Sequence, residues 1–137
     1  MASLTEREAP RRSIRGARGV VAVFGEDGTT VCERCTVADR MFPRMKGLLG
    51  RASLPADEGL LIRPAPSIHT LFMRFPVDGV FLSREGEVLK VAANVGPWRT
   101  RSCRRAHSVL ELAAGEANRR GITLGDRLEA QPLPGKT

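Results

Sequence analysis

Two histidines, three cysteines and a small set of arginines and carboxylates are the residues through which this 137-residue chain could do chemistry. His69 lies in Ile68-His69-Thr70-Leu71-Phe72-Met73-Arg74, a stretch that reads as extended. Side chains alternate along a strand, so His69, Leu71 and Met73 share one side and Thr70, Phe72 and Arg74 the other. A histidine there can donate through one ring nitrogen to a carboxylate, Asp78 or Glu111, and act as base or ligand through the other. Locked by hydrogen bonds at a sheet edge, it is structural instead. Asp78 opens the apolar run Val77–Leu82. A carboxylate entering a sheet is costly unless an arginine (Arg44, Arg51 or Arg74) or backbone donors meet it, or unless it serves a pocket as an acid. Glu111, between Leu110 and Leu112, falls on the same face as Val109 and Ala113 and is expected to be half exposed. Arg51 and Arg74 carry forked guanidiniums that bind carboxylate or phosphate bidentately, in a ligand or in internal salt bridges. Trp98, the sole tryptophan, either plugs a core end or stacks on a ligand. The candidate ligand-binding set is therefore Arg51, His69, Arg74, Asp78, Trp98 and Glu111.

The cysteines raise a metal alternative. Cys32-Glu33-Arg34-Cys35 is a C-x-x-C and Cys103-Arg104-Arg105-Ala106-His107 a C-x-x-x-H, so Cys32, Cys35, Cys103 and His107 offer four tetrahedral zinc ligands at acceptable spacing. Against it, Cys32 and Cys35 sit in a strand-like run where residues i and i+3 face opposite sides, with no Gly or Pro to make the turn a zinc knuckle needs. The expectation is free thiols and no metal or other cofactor. No G-x-G-x-x-G or Walker-type loop is present, and Ser67 is not in a G-x-S-x-G elbow, which excludes the common nucleotide folds and the hydrolase elbow. Arg99-Thr100-Arg101-Ser102-Cys103-Arg104-Arg105 packs four arginines into seven residues; it reads as a solvated loop or as a phosphate contact.

Short strands must position these groups. Val20–Phe24 and Thr29–Val31 flank Gly25-Glu26-Asp27-Gly28, which predicts a hairpin. Residues 40–50 read as a short helix with Asp39 as N-cap, Pro43 in the first turn and Gly50 at the end. Further strands are predicted at Gly59–Ile62, Ile68–Met73, Val77–Leu82, Glu87–Val95 and Val109–Leu112, and a last one around Arg127–Ala130. Gly115–Arg120 suits one or two helical turns, with Gly121 as a left-handed stop. Spacings near ten residues with frequent turn signals predict an all-β sandwich or barrel. The long crossover helices of βαβ units are missing.

A hydrophobic fraction of 42% and a length of 137 residues fit one soluble domain, and the longest apolar run, Val20–Phe24, is far too short to span a bilayer. The net charge of +7 divides unevenly. Residues 1–19 hold five arginines against Glu6 and Glu8, leaving +4 of mixed sign elsewhere. This predicts a basic disordered arm over 1–19, a β domain over 20–131 and a tail over 132–137. No apolar stretch follows the first arginines, so the expectation is no secretory leader, no membrane partner and a cytoplasmic protein. The basic balance leaves nucleic acid or an acidic protein as possible partners.

Arg44-Met-Lys-Gly-Leu-Leu-Gly-Arg51, Glu58-Gly-Leu-Leu-Ile62 and Ser67-Ile-His-Thr-Leu-Phe-Met-Arg-Phe-Pro-Val-Asp78, followed by Gly79–Leu82, Pro97-Trp98, Val109–Leu112, Ala114-Gly115 and Gly121-Ile122 through Gly125-Asp126, resemble the DUF192 family over roughly residues 36–129. The resemblance implies a compact jelly-roll-like β-sandwich, in line with seven or eight short strands and two short helices, and it implies no reaction. Relatives with the Ile-His-Thr segment often carry a cysteine just before it, where this chain has Ala65 and Pro66. Function is expected to be non-catalytic binding of a small polar or anionic ligand. The alternatives are an acid–base hydrolase or isomerase using His69 with Asp78 or Glu111, and an Arg-rich adaptor for nucleic acid or an acidic partner.

Overall fold

The β-branched runs on either side of Asp27-Gly28 fold as the hairpin they predict, with the Asp27 carboxylate accepting the Thr29 N–H at 2.9 Å. A computed structural model of the chain describes residues 10–38, 53–64, 67–69, 75–96 and 99–134. In chain order the elements are β1 (Arg12–Ser13), a 3-10 turn (Ile14–Gly16), β2 (Val20–Gly25), β3 (Thr30–Ala38), β4 (Glu58–Ile62) and β5 (Ser67–His69). Then follow β6 (Val77–Leu82), β7 (Val88–Val95), β8 (Thr100–Ser102), β9 (Ser108–Ala113), α1 (Glu116–Arg119) and β10 (Leu128–Pro132). The helix predicted over residues 40–50 lies outside the described residues. Eight strands form one sheet in the order β1-β10-β2-β3-β4-β9-β6-β7, and β5 pairs with β8 in a two-stranded ribbon. All pairings are antiparallel except β3 with β4.

The architecture is mainly β, as expected, and resembles a sandwich or barrel whose ring is not closed by a full ladder. The start of β7 is drawn to the approach of β10 by an isolated bridge, Glu87 to Arg127. Three backbone bonds support it: Val88 N–H to Asp126 O at 2.8 Å, Gly125 N–H to Val88 O at 2.9 Å and Leu128 N–H to Gly86 O at 2.9 Å.

The sheet has a core on each side. The first gathers Val21, Val23, Val31, Leu61, Val80, Leu82, Leu110, Leu112 and Leu128, among others. The second gathers Leu60, Ile62, Phe75, Val77, Phe81, Val95 and Val109, among others. A strand buried on both faces needs apolar residues at consecutive positions. Every residue of β6 is buried accordingly.

Two expectations are corrected. The arm assigned to residues 1–19 is not wholly disordered: Arg12 and Ser13 pair with Ala130 and Glu129. Ile14 and Ala17 join the first core, Ile14 at 1% exposure. One isoleucine and an alanine in an arginine-rich segment give no periodic signal, so the contact was invisible to pattern reading. The Arg99–Arg105 stretch is not only loop, because its middle forms β8. Among the described residues no helix is long and apolar enough to cross a membrane. Gly121, at φ +71°, ends α1 as predicted.

Candidate functional site

Glu111 stands at the centre of β9, where alternation sends Leu110 and Leu112 into the first core and Val109 toward the second. Glu111 therefore faces the second-core side. Its cross-strand neighbours are Leu60 on β4 and Gly79 on β6, and Gly79 leaves no side chain beside it. The residue is wholly buried rather than half exposed as expected. The one-face-to-water assumption failed because this part of the sheet is covered on both sides. Neither carboxylate oxygen has a hydrogen-bond partner among the described residues. Burial in an apolar setting penalises the ionised form and pushes the Glu111 pKa from 4.5 up to about 7.

Asp78 is also wholly buried, but its situation is the opposite. It lies on the first-core side of β6, since Val80 and Leu82 belong to that core while Val77 and Phe81 belong to the other. Its Oδ1 accepts the Asn94 N–H at 2.8 Å, and its Oδ2 accepts those of Gly115 and Ala117 at 3.0 and 2.9 Å. Asp78 thus ties β7 and the start of α1 to β6. Asn94 is held there at φ +53°, a left-handed conformation that asparagine tolerates better than most residues. Asp78 and Glu111 sit on adjacent strands with their side chains on opposite faces, so they cannot act on one substrate atom.

His69 lies on β5 opposite Thr100 of β8. The ribbon is joined to the second-core side: Lys90 donates to Ser102 O at 2.8 Å, Lys90 Nζ lies 5.8 Å from the Phe81 ring centroid, and Cys103 and Ala106 pack against the second core. The topology therefore attaches the His69 strand to the side of the sheet that Glu111 faces, not the side of Asp78. Arg51, Arg74 and Trp98 lie outside the described residues.

The four candidate zinc ligands are not brought together. Cys32 and Cys35 are both buried in the first core, whereas Cys103 packs against the second. Among the described residues no group of three or more metal-ligating side chains forms. Cys32 and Cys35 nevertheless do not face opposite sides, as regular alternation along β3 would require. Val21 pairs with Cys35 and Val23 with Cys32, so two β3 residues, Glu33 and Arg34, oppose the single Ala22. This β-bulge turns both cysteines inward. Hydrogen bonding between the two thiols lowers the Cys32 pKa; the same interaction, with burial, raises that of Cys35 well above its usual value. All three cysteines are free thiols.

Several polar residues that sequence reasoning did not single out hold the frame. Arg63 donates to Ile14 O at 2.8 Å, to Arg15 O at 2.9 Å and to Ala17 O, clamping the 3-10 turn over the first core. Arg120, its side chain 6% exposed, pairs with Glu116 and Glu33 at 2.9 Å each and donates to Thr30 O and Ala56 O. The Glu116–Arg120 spacing of i to i+4 was a readable signal. His107 Nδ1 is buried with no partner among the described residues, and its pKa is lowered by burial first and then by Arg84, Arg63 and Arg15.

The family model DUF192, described as an uncharacterised ACR, matches residues 22–130. No curated protein matches the chain significantly. Among solved structures, a candidate transcription regulator from Sinorhizobium meliloti is similar at 27% identity and a TM-score of 0.70, covering 83% of this chain and 94% of its own. A protein of unknown function from Novosphingobium aromaticivorans is similar at 27% identity and a TM-score of 0.67, covering 80% and 82% respectively.

Proposed function

The chain belongs to the DUF192 family, and from that premise we propose that it is a non-catalytic binding module whose ligand is a small polar molecule recognised by Glu111. One observation carries the reading: Glu111 is wholly buried with both oxygens unpartnered among the described residues. Leaving a buried acceptor unsatisfied is costly, and a carboxylate more so, which makes a donor-bearing ligand the natural complement. The reading favours a ligand presenting hydroxyl or ammonium donors, such as a polyol, a sugar or a small amine. An anion would instead depend on Arg51 and Arg74. Cross-strand Gly79 supports the choice, because it sets no side chain directly opposite the carboxylate on β6. The module is read as a jelly-roll-like sandwich working in the cytoplasm, where its free thiols would stay reduced.

A ligand that donates to Glu111 stabilises the ionised form, so binding below about pH 7 releases a proton and affinity rises with pH. The test is a thermal-shift screen of the full chain against polyols, monosaccharides and small amines at pH 6 and pH 8. At least one compound class should raise Tm, more at pH 8, and Glu111→Gln should remove the shift while still folding. A compound that stabilises Glu111→Gln equally would place the binding site elsewhere.

A further inference from the structure

Independently of the Glu111 face, we propose that the β5–β8 ribbon and the turn after it form a docking surface for the phosphate backbone of duplex nucleic acid. Residues 39–52, 65–74 and 96–107 hold nine of the 22 basic residues and one of the 15 acidic ones. The rest of the chain holds 13 basic and 14 acidic residues and is close to neutral. These three segments thus carry a larger basic excess than the N-terminal arm, whose five arginines face Glu6 and Glu8.

One of these segments is built into a surface. Arg99, Arg101, Arg104 and Arg105 are all exposed, and no acidic residue occurs between positions 96 and 107. The surface is tied down beneath: Lys90 donates to Ser102 O at 2.8 Å, the Ala106 N–H closes the turn on Cys103 O at 3.0 Å, and the His107 N–H bonds Leu82 O at 2.8 Å. Cys103 and Ala106 anchor it against the second core. Its arginines are therefore presented from an anchored support rather than a loose tail, which lowers the ordering cost of binding.

Shape and chemistry select the partner. A two-stranded β-ribbon fits the major groove of a duplex, where phosphates line both walls. Arg99 stands just before β8 and Arg101 within it, on either side of Thr100. Guanidinium forks suit phosphate oxygens bidentately. Arg99 and Arg101 also make contacts within the chain, so the test rests on Arg104 and Arg105.

The experiment is fluorescence anisotropy of a short labelled DNA duplex titrated with the full chain over a series of salt concentrations. Binding should weaken steeply with salt. Arg104→Ser/Arg105→Ser should weaken it and lower the slope of log K against log salt by roughly 2, with Tm unchanged. Arg7→Ser/Arg12→Ser in the N-terminal segment should leave affinity close to wild type. Glu111→Gln should bind the duplex normally, which separates failure here from failure of the ligand proposal. Four results overturn the proposal: no duplex binding at low salt, a flat salt response, an unchanged slope in the double serine variant, or single-stranded DNA binding as tightly as duplex. Poly-glutamate competing as well as unlabelled duplex would assign the surface to an acidic protein and overturn it too.

Discussion

Glu111 and Asp78 are both carboxylates with no exposed surface on neighbouring strands, yet their chemistry differs because one is met by donors and the other is not. For Glu111 the folded pKa of about 7 lies above the unfolded 4.5. Below pH 4.5 both states are protonated and the residue is neutral in its effect. Between pH 4.5 and 7 the unfolded chain loses its proton first, so stability falls as pH rises, by about 3 kcal/mol before levelling off. Urea denaturation of wild type across this range should show that contribution as a downward slope relative to Glu111→Gln; matching slopes would show that Glu111 is solvated or paired in the folded protein. Asp78 predicts the reverse kind of defect. Asp78→Ala strips the acceptor from three backbone N–H groups and should cost about 3 kcal/mol or more, measured as a lower urea midpoint with an unchanged m-value. Asp78→Asn should recover little of this, because one of its positions would present an NH2 where an acceptor is needed. Stability close to wild type in either variant would contradict the capping role.

The strand elements were largely legible because each apolar run is bounded by turn residues: the Asp27-Gly28 hairpin, β6, β7, β9 and the Gly121 stop fall where the pattern places them. The misses have a common origin in departures from simple alternation. The β3 bulge cannot be read from Cys32-Glu33-Arg34-Cys35, whose residue types fit a regular strand equally well, and it reverses the predicted orientation of one thiol. The burial of Glu111 escaped for a related reason: alternation places it on the Val109 face but does not say that this face carries its own core. The single turn of α1 is too short to be stable by itself. It is held by Asp78 at its start and by Arg120 at its end, where the guanidinium ties Glu116 to β3 and to Ala56 O. Arg120→Ala leaves Glu116 with Arg119 as its remaining guanidinium partner and strips the donor from Thr30 O and Ala56 O, so it should destabilise the protein by about 1 to 3 kcal/mol. The Glu116 pKa, lowered to about 2 chiefly by hydrogen bonding from Arg119, gives a second check. Its stabilising effect is complete above pH 4.5 and is lost as pH falls toward 2. Arg120→Ala should weaken that acid dependence, and an acid limb of unchanged steepness would mean that Arg120 contributes little to holding Glu116 ionised.

At the scale of the whole molecule, the two ends of the sheet meet at a seam that rests on one bridge and a few backbone bonds, with the 3-10 turn at Ile14–Gly16 packed nearby. Gly86 is the tightest point of that seam. It adopts φ +89°, and a Cβ on it would stand 2.5 Å from Leu128 O and 3.4 Å from Ile14 Cγ1. Leu128 in turn donates its N–H to Gly86 O, so the two backbones are locked at a distance that only glycine allows. Gly86→Ala must therefore both strain the turn and push β10 from β7, at a cost of at least about 2 kcal/mol. The loss should be local before it is global. Hydrogen exchange should show the Val88 and Leu128 amides, which bond across the seam, exchanging faster than β9 amides flanked by ladders on both sides. Ile14→Ala should add a core defect of about 2 to 5 kcal/mol at the same end. Because Ile14 would touch the Gly86 substituent, the two changes should combine non-additively. Full additivity, or equal loss of protection in β9 and at the seam, would mean that the strands open as one unit and that the seam is no weaker than the rest of the ring.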